Sequence, residues 1–105
     1  MRVELDLFSG RPNPSWELDE AGVREFERLM TRLKPGFATP EPPALGYRGF
    51  LLQAVSGVSR AYRGFVFMPQ GVLDDPSCSI EWFLLDGLPA AFASLRRRVS
   101  AEITH

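Results

Sequence analysis

Residues 2–8 read Arg-Val-Glu-Leu-Asp-Leu-Phe, an unbroken alternation of polar and apolar side chains. In an extended backbone successive side chains point to opposite faces. The pattern therefore predicts a half-buried strand with Val3, Leu5 and Leu7 inside and Arg2, Glu4 and Asp6 outside. Such a strand needs neighbouring strands and a covering layer, which commits the chain to a sheet-containing domain. With 105 residues there is room for one hydrophobic core, so a single domain over residues 1–105 is expected.

The strand runs into Phe8-Ser9-Gly10-Arg11-Pro12-Asn13-Pro14-Ser15-Trp16. Pro12 and Pro14 fix two φ angles and push Arg11 and Asn13 toward extended conformations. A stiff loop loses little entropy on binding. Arg11 and Asn13, with Trp16 as an apolar wall, thus form a candidate clamp for a carboxylate or other small anion. The structural alternative ties Arg11 to carbonyls or to Asp6, uses Asn13 to hold a turn and places Trp16 in the core.

A helix is expected from Asp19, which can cap it, with Glu20 in its positive first turn and Val23, Phe26, Leu29, Met30 and Leu33 as its apolar stripe. Lys34-Pro35-Gly36 ends it. Residues 35–46, PGFATPEPPALG, hold four prolines and read as an extended crossover without regular structure.

Tyr-Arg-Gly-Phe then occurs twice, at 47–50 and 62–65. Both copies read as strands of one hairpin over 47–68 that turns at Ser56-Gly57, which sets Phe50 opposite Arg63 and Arg48 opposite Phe65. One face would carry Arg48, Phe50, Leu52, Arg63, Phe65 and Phe67, the other Tyr47, Leu51, Tyr62, Val66 and Met68. Both faces are apolar enough to need cover. Residues 75–87 suggest a short helix capped by Asp75 with Pro76 at its first position, a strand being the alternative. Pro89 opens a last helix with Phe92, Leu95 and Val99 inward and Arg96, Arg97 and Arg98 near its C-terminus. The expected fold class is α+β, two layers in the order β-α-β-β-α-α, with a small and mainly antiparallel sheet.

The run Arg63-Gly64-Phe65-Val66-Phe67-Met68 resembles the RNP1 segment of RNA-recognition motifs. That resemblance implies aromatics stacking on unpaired bases and an arginine on phosphate. Val66 stands where the motif has Gly or Ala, Gln70 where it has an aromatic, and residues 3–8 lack the matching RNP2 aromatic. A formal net charge of −1 supplies no global attraction to nucleic acid.

One cysteine, Cys78, and the absence of a basic-then-apolar opening segment point to a reducing cytoplasm. The longest apolar runs, such as Trp82–Leu85, fall far below the ~20 residues of a spanning helix. Cys78 has no base beside it in sequence, the sole histidine being His105. No metal-ligand set, phosphate loop or nucleophile elbow is present, and no cofactor is implied. The sequence reads as a non-catalytic accessory protein that associates with another protein or with itself. The alternative is a small-anion site, possible as an enzyme site, from Arg11, Asn13, Trp16, Arg48 and Arg63. Single-stranded RNA on the face of Phe50, Phe65 and Phe67 is third.

Overall fold

The alternating run forms β1 (Arg2–Phe8), and everything else in the sheet is ordered around it. The computed structural model describes residues 1–8, 10–37 and 46–103. The crossover expected over 35–46 lies largely outside the described residues. Antiparallel to β1 on one side runs β2 (Ser15–Glu17), and on the other β4 (Gly46–Ala54). A meander follows through β5 (Gly57–Tyr62), β6 (Phe65–Met68) and β7 (Gly71–Asp74), and β3 (Lys34–Pro35) closes the far edge. Among the described residues, seven strands make one antiparallel sheet in the order β2-β1-β4-β5-β6-β7-β3. The edge strands have three and two residues, so little unpaired backbone is offered for strand addition.

Three α-helices complete a mixed α+β domain: α1 (Glu20–Met30), α2 (Ser79–Asp86) and α3 (Arg96–Ile103), the last preceded by a 3₁₀ helix (Ala90–Leu95). Asp19 caps α1 by accepting the Gly22 N–H at 2.7 Å. The second helix starts three residues later than its proline suggested. Asp75 holds that start from a distance, accepting the Ile80 N–H at 2.9 Å and the Ser79 hydroxyl at 2.8 Å. Arg96–Arg98 open α3 and do not close it, because the preceding residues take the tighter 3₁₀ winding.

The element order differs from expectation because β2, β3 and β7 are added to the sheet and the 47–68 hairpin is three strands. The first reversal is at Val55-Ser56, pairing Phe50 with Ala61 in place of Arg63. The second is Arg63-Gly64, where both residues have positive φ (46° and 85°) and Tyr62 pairs with Phe65. That is the geometry of tight hairpin turns that match strand twist. The two Tyr-Arg-Gly-Phe copies therefore have unlike backbones: one lies within β4, the other is a turn.

Gly49 also breaks the expected alternation. Between the pairs Leu5–Phe50 and Leu7–Tyr47, two β4 residues face one β1 residue, a bulge with Gly49 at φ 93°. A Cβ there would lie 2.3 Å from the Ala61 carbonyl oxygen, so only glycine fits. The bulge moves Tyr47 to the face of Phe50 and Arg48 to the other. The core-facing set is consequently Val3, Leu5, Leu7, Tyr47, Phe50, Leu52, Ala61 and Val66, joined by Phe26 of α1, Ile80, Leu84 and Leu85 of α2, and Val99 and Ile103 of α3. Each fully buried Leu, Ile, Val or Phe contributes roughly 1.5–3 kcal/mol relative to exposure.

Candidate functional site

The face of the sheet opposite this core is built by register. Crossing the strands, Ser15 pairs with Glu4, Glu4 with Leu51, Leu51 with Arg60, Arg60 with Phe67 and Phe67 with Val72. Leu51, Arg60, Phe67 and Val72 are all half-buried, and Val58, on the same face, is 53% exposed. Phe65 stands beside Phe67 with ring centroids 6.1 Å apart. Of the three aromatics expected to share a face, Phe65 and Phe67 do. Phe50 does not: it is fully buried on the core side, in edge contact with Trp16 and Tyr47. The second turn is the cause: by setting Tyr62 opposite Phe65 it puts Phe65 and Phe67 out of phase with Phe50, where a single hairpin would keep the three in phase.

Most polar groups on this face satisfy one another, the exception being the buried Arg48 Nε, which has no hydrogen-bond acceptor among the described residues. Asp6, buried despite its place in the outward series of β1, accepts from Arg60 Nη1 at 2.9 Å and from Asn13 Nδ2 at 3.3 Å, and Arg48 Nε lies 3.6 Å away. Arg60 also donates to the Arg48 carbonyl at 2.5 Å. Asn13 Oδ1 accepts the Leu7 N–H at 3.0 Å, the donor next to the bulge, while its amide nitrogen donates to Glu4 at 2.9 Å. Removing one member of such a network would strand its neighbours, which ties the loop, β1, β4 and β5 together.

The proposed anion clamp is thereby dispersed. Asn13 and Arg48 serve the Asp6 network. Trp16 packs edge-on against Phe50 with ring centroids 6.4 Å apart, and its buried Nε1 has no acceptor among the described residues. Arg63 sits at the β5–β6 turn, donating to Tyr62 Oη at 3.0 Å and to Glu102 at 2.9 Å, with its guanidinium 5.5 Å from the Tyr62 ring centre. Of these five, Arg11 alone has no such tie among the described residues.

Sequence reasoning missed Arg60 and Glu81, and it offered Asp6 only as a partner for Arg11, whereas Asp6 meets Arg60, Asn13 and Arg48. Glu81, buried on α2, accepts from Tyr47 Oη at 2.5 Å and from the Gly64 N–H at 2.9 Å, and so holds the tight turn against the helix. Burial and the adjacent Glu81 push the Tyr47 phenol well above its ordinary range. Burial, with Glu81 and Asp75 nearby, raises the Cys78 thiol to about 11, which leaves it protonated and a poor nucleophile at neutral pH. A lone acidic residue among apolar ones, as in Ser-Ile-Glu-Trp-Phe, gives no sign that it turns inward.

Among the described residues no helix is long and apolar enough to cross a membrane. Comparison of the chain with protein-family models, with curated proteins and with solved structures gave no match.

Proposed function

We propose that the chain is a two-layer, non-catalytic binding domain that associates with a second copy of itself through the sheet face opposite the helices. The observation that carries this reading is the cross-strand row ending in Phe67 and Val72, with Phe65 beside it. Phe65 and Val72 belong to no part of the helix-backed core and Phe67 only packs against its margin, whereas the helices bury their own apolar residues against the other face. Short edge strands make face-to-face contact the better geometry. An apolar patch is its own complement under two-fold rotation, and a net charge of −1 sets up little repulsion between copies. A protein surface suits the face better than RNA, because its arginines Arg48 and Arg60 already neutralise Asp6. Buried Asp6, Asp75 and Glu81 accept internal hydrogen bonds, which supports the non-catalytic part of the reading.

Sedimentation equilibrium across a wide concentration range tests it. The wild-type chain should dimerise. Phe67→Glu places a carboxylate opposite Arg60 at a half-buried position, so that variant should still fold, with a somewhat lower melting temperature, and remain monomeric. A wild-type chain that is monomeric at every concentration overturns the proposal.

A further inference from the structure

At the end of the core, away from the open sheet face, a 380 Å³ cavity lies between the 10–14 loop and the segment from the 3₁₀ helix into α3. Its apolar lining includes Leu7, Phe92 and Leu95, and its charged lining is Arg11 and Arg98. Both walls are fixed from outside the cavity. On one side the Pro14 carbonyl accepts the Leu5 N–H at 2.9 Å, and Asn13 is bonded to the Leu7 N–H. Arg11 is thus presented by a loop whose own polar groups are engaged. On the other, buried Val99 and Ile103 seat α3 in the core.

The charge pattern sets this cavity apart. Arg28, Arg48, Arg60, Arg63 and Arg96 each meet a carboxylate of the chain. Among the described residues Arg11 and Arg98 do not, and, unlike other arginines without an ion pair such as Arg24 and Arg97, they share one cavity, which no Asp or Glu lines. The other four cavities described each include at least one Asp or Glu in the lining. Two guanidinium groups lining one concavity without a carboxylate leave it positively charged, and their planar donor geometry suits an oxyanion head. The volume falls within the range of small-molecule pockets.

We infer that this cavity is a binding site for a small amphiphilic anion, its oxyanion head between Arg11 and Arg98 and its apolar body against Leu7, Phe92 and Leu95. The site is separate from the sheet face, so the oligomeric state of the chain leaves it standing.

Titration of the ¹⁵N-labelled chain with sodium octanoate, octyl phosphate and 1-octanol, followed by amide shifts, is the test. Octanoate or octyl phosphate should move amides in residues 10–14 and 91–98, the tighter of the two identifying the head group, and 1-octanol should bind at least about tenfold more weakly. Arg11→Gln and Arg98→Gln, both at exposed positions, should each weaken anion binding about tenfold with melting unchanged. Equal binding of the alcohol, shifts confined to other regions, no saturable shift, or unaltered affinity in both variants would each overturn the inference.

Discussion

The Tyr47 hydroxyl donates to Glu81 Oε2 at 2.5 Å, inside the core and 34 residues away in sequence. The same carboxylate accepts the Gly64 N–H, so a helix residue holds both the start of β4 and the turn between β5 and β6. Glutamine at 81 keeps one acceptor but turns an amide donor toward one of these two donors. Glu81→Gln should cost about 1–3 kcal/mol. At roughly 4–8 °C per kcal/mol for a domain near this size, calorimetry would register the loss clearly. Wild-type stability would remove Glu81 from this structural role.

Asp6 joins Arg60, Arg48 and Asn13 on the opposite face. Asp6→Asn leaves two partly buried guanidinium groups without a counter-charge. Their side chains are 23% and 29% exposed, so the expected loss is about 2 kcal/mol, below that of a fully buried pair. Urea denaturation measures it, and a shift of the midpoint without a change of slope is the expected form.

Gly49 is irreplaceable for two separate reasons, its φ of 93° and the Ala61 carbonyl 2.3 Å from where a Cβ would sit. Gly49→Ala should destabilise by at least about 2 kcal/mol. Gly87, with negative φ and no atom closer than 3.6 Å to its virtual Cβ, is the control, and Gly87→Ala should be nearly neutral. Comparable losses in the two variants would refute the bulge as the cause.

Cys78 carries a pH dependence of stability. Its thiol is raised in the folded chain to about 11, against about 8.5 unfolded. A raised value means that folding favours the protonated form, so this stability is fully present below about pH 8.5 and is lost as pH rises through 11. Tyr47, raised in the same direction, adds to the alkaline loss. The melting temperature should hold steady near neutral pH and fall on the alkaline side, less steeply in Cys78→Ser. A thiol reagent at pH 8 should label the folded chain far more slowly than the unfolded one, and equal rates would contradict the assignment.

What the sequence by itself determined is local. The alternation of residues 2–8 set β1 and its inward side chains, and Asp19 with the spacing of Phe26 and Leu29 set α1, because strand and helix periodicities are written into neighbouring positions. Residues 75–87 contained their helix, though its first turn began late. Tertiary structure decided where a local pattern had two readings. Tyr-Arg-Gly-Phe is strand at 47–50 and turn at 62–65 because Glu81 is placed to take the Gly64 N–H. Asp6, polar and outward by its pattern, is buried because Arg60 and Asn13 arrive from elsewhere in the chain. Strands as short as Ser15–Glu17 and Lys34–Pro35 have too few residues to show a period, and they exist only where a neighbouring strand supplies their hydrogen bonds. The faces of the sheet, and with them the open apolar face, followed from one bulge and one turn, and these long-range pairings leave no signature in nearest neighbours.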